Sequence, residues 1–237
     1  MLSHVYFDFF GTLVDYDPAV HPAGINAPHR AAHRVGTDVS PDRASALWEA
    51  AWTELDERAH RTGRECSMRD IAARFHELIG ALNTPDQALD TLVDEYLAAW
   101  TANIRLARDV PACLAALTAD GRRLSVVSNT HHPRLVQGLL ERFGIADHFA
   151  EVFTSVEIGW RKPHPGLFQA VLDRDGTTAA SAVFVGDNWN ADIEGPAGVG
   201  MRAFYVGVPA AGREPVTIAE LPALIRAAER APGSGVA

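Results

Sequence analysis

Lysine is almost missing from this chain: among 237 residues only Lys162 carries an ammonium side chain, and arginine supplies the other permanent cations. With no basic cluster and a formal net charge of −9, the surface is not suited to tracking a phosphate backbone, so no nucleic acid is expected as a partner. Cysteine is scarce too. Cys66 and Cys113 make no disulfide framework and read as small buried thiols. No apolar run reaches the ~18 residues of a membrane span, so no membrane partner is expected. The first residues enter a strand pattern without a basic and apolar leader. The expectation is a cytoplasmic protein, monomer or homodimer, acting on a small molecule.

What is present falls into two textures. From Ala27 to Trp100 the apolar residues recur at helical spacing. A short helix is expected near Arg30. Ser40-Pro41-Asp42 supplies an N-cap, an N1 proline and a first-turn acid for a helix with Leu47, Trp48, Ala51, Trp52 and Leu55 on one face. Ser67 opens a second, with Ile71, Phe75, Leu78 and Ile79, and Thr84-Pro85-Asp86 opens a third that runs to Trp100. The aromatic positions on these faces read as core. Residues from about Asp17 to Asn26, rich in Pro, Gly and His, read as a loop.

From Leu106 onward helix and strand alternate. Strands are expected at Leu124–Val127, Val152–Thr154, Ala182–Val185 and Ala203–Val206, with helices at Pro111–Ala119, Pro133–Phe143, Pro165–Leu172, Ala191–Ala197 and Ile218–Ala231. Such alternation predicts βαβ units and a parallel sheet. The isolated run Val5–Asp8 has no local partner and must join that sheet as its fifth strand. The fold class is therefore α/β: a Rossmann-like five-stranded parallel sheet with helices on both faces, interrupted by a helical bundle. The expected division is 1–17 with 105–237 for the core and 18–104 for the insert. Pro232–Ala237 reads as a frayed tail.

Three of these strands end in residues able to do chemistry: Asp8, then Ser128-Asn129, then Asp187. In an open α/β sheet the ligand crevice lies outside the carboxyl ends of the strands, so groups distant in sequence converge there. Lys162 precedes a helix start and can reach the same crevice. Asp8 and Asp187 together would place two like charges near one ammonium. Their mutual repulsion calls for a divalent cation, and oxygen-only ligands suit Mg²⁺.

These residues also match a family pattern in chain order. Asp8-Phe9-Phe10-Gly11-Thr12-Leu13-Val14-Asp15 resembles the first motif, Asp-x-Asp-x-Thr, of the haloacid dehalogenase-like (HAD) hydrolase superfamily. Ser128-Asn129 resembles its second motif, Lys162 its third, and Gly186-Asp187-x-x-x-x-Asp192 its fourth. The insert stands where one division of the family carries a helical cap. The resemblance implies that Asp8 is a nucleophile forming an aspartyl-phosphate, that Thr12 orients it, and that Ser128 hydrogen-bonds the transferring phosphoryl group. It further implies that Lys162 neutralises charge, and that Mg²⁺ is held by Asp8, the backbone carbonyl of Phe10, Asp187 and Asp192.

One position departs from the pattern. Phe10 stands where the family's phosphatases carry the general acid for the leaving group. General acid catalysis is typically worth ~10²–10⁴-fold, so either the leaving group needs no proton or His131, His132 or an acid of the cap supplies it. Asp15 and Asp17 read as solvated acids of the loop. A Mg²⁺-dependent phosphatase for a small phosphorylated metabolite is the leading expectation. Two alternatives stay open. The octet is also close to the Asp-x-Tyr-Gly-Thr-Leu of 2-haloacid dehalogenases, which use no metal and want a halide-binding arginine. No arginine follows Trp48 or Trp52, which leaves Arg34 and Arg43 for that role. The other alternative is a catalytically weak HAD-fold ligand-binding protein. Phosphonoacetaldehyde hydrolases also lack the second acid, but they need a cap lysine for a Schiff base, and this insert has no lysine.

Overall fold

Val5, Tyr6 and Phe7 have no exposed surface, which marks their strand as covered on both faces, as parallel strands usually are. In the computed structural model, which describes residues 2–15 and 26–230, seven strands are found among the described residues. They are β1 (His4–Phe7), β2 (Val14–Asp15), β3 (Arg105–Leu106), β4 (Arg123–Ser128), β5 (Phe149–Thr154), β6 (Ala182–Gly186) and β7 (Arg202–Tyr205). Five form one all-parallel sheet in the order β5-β4-β1-β6-β7. β1 is the central strand, with Phe7 level with Val126 on one side and Val185 on the other. The order reverses between β1 and β6, and that reversal opens a crevice at the carboxyl ends.

The chain divides into two compact units, 1–16 with 105–237, and 17–104. Of the loop expected from Asp17 to Asn26, all but Asn26 lies outside the described residues, as does the tail at 232–237. The second unit consists of α1 (Ala27–Arg34), α2 (Pro41–Thr62), α3 (Met68–Leu78) and α4 (Asp86–Trp100). Its local start signals act as expected at two helices. Ser40 accepts from Arg43 N–H, and Ser67 forms a reciprocal capping box with Asp70. Trp48 packs on Phe75 and Tyr96 at ring-centroid distances of 5.8 and 4.6 Å and is core, whereas Trp52 is half-buried. Thr84 does not cap α4. Its hydroxyl donates back to the Ala81 carbonyl at 3.0 Å, and Pro85 takes the cap position without a side-chain bond.

The sheet unit adds α5 (Val110–Ala119), α6 (Leu135–Arg142), α7 (Ser155–Ile158), α8 (Pro165–Asp175), α9 (Gly195–Ala197) and α10 (Leu221–Arg230). Several boundaries move. α6 starts at Leu135 rather than Pro133. β5 begins three residues early, because as an edge strand it exposes Ala150 and Glu151 and so lacks the apolar signal of a buried strand. The helix expected over 191–197 is a π-helical turn, Trp189–Glu194, followed by the single turn of α9. Ile218–Glu220 is a 3₁₀ turn leading into α10. The short antiparallel pair β2–β3 was not foreseen, since two residues per strand carry no periodicity. Both cysteines are buried, and burial pushes the Cys113 thiol up to about 12. No helix among the described residues is long and apolar enough to cross a membrane.

The segment entering β1 is tied to the end of α10. Arg122 pairs with Glu229 through Nη1–Oε1 at 2.6 Å and Nη2–Oε2 at 2.7 Å, a two-pronged contact, and also donates to the Leu2 carbonyl. Leu2 N–H donates to Glu229 at 2.7 Å. The Arg122 hydrogen bonds hold the Glu229 carboxyl down at about 2. A carboxylate depressed in the folded state stabilises above its ordinary value of 4.5 and loses that contribution as pH falls toward about 2. Glu229→Gln is therefore expected to lower stability at pH 7 by roughly 1–2 kcal/mol. It should also flatten the acid limb of the denaturation midpoint between pH 4.5 and 2, measured by urea titration followed by circular dichroism.

Candidate active site

The three neighbouring strands β4, β1 and β6 deliver Ser128-Asn129, Asp8 and Asp187 to the same edge of the sheet. Asp8 lies one residue beyond β1, and its N–H still donates to the Val185 carbonyl at 2.8 Å, so its backbone is fixed by the sheet. The chain then turns sharply. The Phe9 carbonyl accepts from the N–H groups of Leu13 and Val14 at 2.9 and 3.2 Å, and Gly11 adopts φ +85°. That turn brings the Thr12 hydroxyl back to donate to Asp8 Oδ2 at 3.2 Å. The Thr12 hydroxyl also lies 3.5 Å from Asp187 Oδ1, its second possible acceptor.

Lys162 joins the cluster from the loop before α8. Its side chain is almost wholly buried, and Nζ donates to Asp8 Oδ1 at 2.6 Å and to Asp192 Oδ1 at 2.7 Å. The ammonium also sits 5.1 Å from the centroid of the buried Phe184 ring, a cation–π contact from the sheet. Burial alone would favour the neutral amine. The charges of Asp192 and Asp8 outweigh it, and the Lys162 pKa is raised, so the group stays an ammonium.

Asp192 reaches the cluster from the π-helical turn after β6. Asn188 prepares it: its side chain caps Ala191 N–H at 3.0 Å, and its own N–H donates to Asp192 Oδ2 at 3.0 Å. Two glycines make room. A Cβ on Gly186 would stand 2.4 Å from the Asp192 side chain, and one on Gly11 would stand 2.3 Å from Asp187 Oδ2. Gly186 stood in the fourth motif without this reason for it, and Asn188 filled one of that motif's open positions; the signal for both was their place on either side of Asp187.

Charge is not balanced within this group. Asp8, Asp187 and Asp192 each offer a carboxylate oxygen within 4.8 Å of the others, against one ammonium. Burial, together with the charge of Asp8, pushes Asp187 up to about 6 against the opposing effects of Lys162 and Thr12. Burial also pushes Asp192 up, with Lys162 opposing. Groups strained toward protonation in this way are relieved by a bound cation, and an all-oxygen donor set fits a hard divalent ion.

The other expected residues divide. Asn129 lies beside Lys162 but bonds its backbone rather than its ammonium: Nδ2 donates to the Lys162 carbonyl at 3.0 Å and Lys162 N–H donates to Oδ1 at 2.8 Å. Ser128 has no exposed surface, and its hydroxyl donates to the Asn129 carbonyl at 3.4 Å, outside the carboxylate network. The Phe10 ring packs edge-on against Phe9 with centroids 4.9 Å apart. His132 Nδ1 is occupied by Arg134 N–H at 3.3 Å, and His131 is half-buried. Gly11→Ala is expected to displace the Asp187 carboxylate: divalent-cation affinity by calorimetry should fall at least tenfold while the far-ultraviolet circular dichroism stays that of the parent.

The haloacid dehalogenase-like hydrolase family model matches residues 2–200, which span the whole cluster. A ribulose-1,5-bisphosphate 5-phosphatase of Halopiger xanaduensis is 31% identical over 203 residues, covering 85% of this chain and 83% of that protein. A phosphoglycolate phosphatase of Yersinia pseudotuberculosis is 30% identical over 211 residues, covering 88% of this chain and 79% of the relative. Among solved structures, a 2-haloacid dehalogenase from Pseudomonas syringae pv. Tomato DC3000 aligns with a TM-score of 0.71 at 26% identity, over 98% of this chain and 100% of that one. With the family model matching across most of its length, and with relatives of this kind, the chain belongs to the haloacid dehalogenase-like hydrolases.

Proposed function

We propose that the protein is a Mg²⁺-dependent phosphatase acting on a small phosphorylated metabolite, with Asp8 as the nucleophile and the helical unit serving as its cap. The observation that carries this reading is Asp187, which sits with Asp8 and Asp192 in a cation-sized group of carboxylates. Displacing halide from carbon has no use for such a group. The phosphatase names of the two relatives that match over most of the chain support the same choice.

Asp8, the Phe10 carbonyl and Asp187 are assigned as the cation's holders. Asp192 completes the group in or next to the cation's shell, with its two oxygens also accepting from Lys162 and Asn188 N–H. When bound, Mg²⁺ supplies Lewis acidity and a template for the phosphoryl oxygens. Asp8 then attacks phosphorus through a carboxylate oxygen. A new P–O bond forms, the ester P–O bond breaks with its electron pair leaving on the alcohol oxygen, and Asp8 carries the phosphoryl group. Thr12 holds the nucleophile's other oxygen, and Lys162 offsets the negative charge gathering on the phosphoryl group. Water next opens the acyl phosphate at phosphorus, returning Asp8 as carboxylate and releasing phosphate.

Phe10 offers no proton to the departing oxygen. Esters whose leaving group is stable as an anion should therefore be turned over best. Phe10→Asp is expected to raise kcat/KM on unactivated sugar phosphates about tenfold or more while changing para-nitrophenyl phosphate little. An equal or lower rate on both would mean that another residue already gives the proton.

A second reading draws on Phe10 itself and on the similarity to the 2-haloacid dehalogenase. One assay separates the two. The protein is incubated with a panel of phosphate esters and with 2-chloropropionate, with added Mg²⁺ or with EDTA. Phosphate release that needs Mg²⁺ and disappears in Asp8→Asn is expected, whereas halide release indifferent to EDTA would replace this proposal. Silence in both, with ligand binding preserved in Asp8→Asn, would leave a ligand-binding HAD protein.

A further inference from the structure

Asn129 spends both ends of its side-chain amide on one residue. The donor Nδ2 meets the Lys162 carbonyl at 3.0 Å and the acceptor Oδ1 meets the Lys162 N–H at 2.8 Å, closing a ring of two hydrogen bonds between the end of β4 and the loop before α8. A flipped amide would set donor against donor and acceptor against acceptor, so only this orientation satisfies both groups. The same short loop is held from within by the His164 N–H to Arg161 carbonyl bond at 2.8 Å. It is also held by the parallel stack of Trp160 on His164, 3.7 Å between centroids. On its other side Gly195 allows close approach, since a Cβ there would lie 3.1 Å from Pro163 Cα.

The consequence falls on Lys162. Four rotatable bonds separate its backbone from an ammonium that must meet Asp8 at 2.6 Å and Asp192 at 2.7 Å together. An ammonium bonded at once to two buried acids from different segments tolerates little drift of its Cα. Resting on the function proposed above, we propose that Asn129 is a positioning residue: it acts through the Lys162 backbone to set the ammonium against the nucleophile, and does not act by binding substrate. This separates it from its neighbour Ser128, with which it shares the second motif.

The composition offers a direct test. Because Lys162 is the only lysine, protein grown with 15N-lysine shows a single backbone amide signal, and that amide is the one bonded to Asn129. Asn129→Ala is expected to shift this signal and speed its hydrogen exchange at least tenfold. With para-nitrophenyl phosphate the same variant should lose about ten- to hundredfold in kcat with KM little changed, the usual size of a small misplacement of a reacting group. Asn129→Asp keeps the acceptor for the N–H but not the donor to the carbonyl, so it should fall between parent and Ala in both readouts. This variant also serves if Asn129→Ala does not fold by circular dichroism. A fall in kcat with the Lys162 amide unmoved, a rise in KM with kcat preserved, or no change in either would each overturn the proposal. If the parent protein hydrolyses no phosphate ester, the proposed function fails. The amide exchange still decides whether Asn129 holds the Lys162 backbone.

Discussion

A buried ammonium bonded to two buried carboxylates holds this molecule's chemistry in place. Lys162 meets Asp8 and Asp192 at hydrogen-bond distance, in surroundings where an unpartnered charge would be costly. Each partner comes from a different segment: the end of β1, the loop before α8 and the turn after β6. The ion pairs therefore make sense only when the sheet is assembled, and the sheet's order makes them possible by setting β1 between β4 and β6. Remove the ammonium and two acids would lose their counterion at once.

Around that interaction the backbone is shaped by small residues and local caps. Gly11 turns the chain after the nucleophile candidate with a positive φ and leaves space for Asp187; Gly186 leaves space for Asp192. Asn188 caps the π-helical turn and simultaneously fixes the far oxygen of Asp192. The result is a group with more negative than positive charge, held rigidly by hydrogen bonds from protein groups. An all-oxygen group with this excess of negative charge is the kind of donor set that suits a hard cation.

Much of the plan was legible along the chain. The change from helical periodicity to helix–strand alternation near Leu106 was readable from the pattern alone, and the five strands of the parallel sheet were all found near their places. Buried parallel strands read clearly because both faces are apolar, and capped helices read clearly because Ser40 and Ser67 leave local signals. The misses share the opposite property. β2 and β3 are too short for a period, the edge of β5 is polar because it meets solvent, and Pro85 displaced Thr84 from a cap that composition alone favoured.

The amino-acid order by itself determined which chemistry the chain can attempt: a carboxylate at a strand end, a lone lysine, a Gly-Asp turn followed by another acid, and a phenylalanine in the place of a proton donor. Those identities are local, and no packing can alter them. Only the tertiary structure decided how they share the work. It turned Asn129 toward the Lys162 backbone, sank Ser128 out of the carboxylate network, and drew Asp192 onto the same ammonium as Asp8. Those outcomes depend on distances between residues up to 154 positions apart. Such distances are set by strand order and register, which no short stretch of sequence contains.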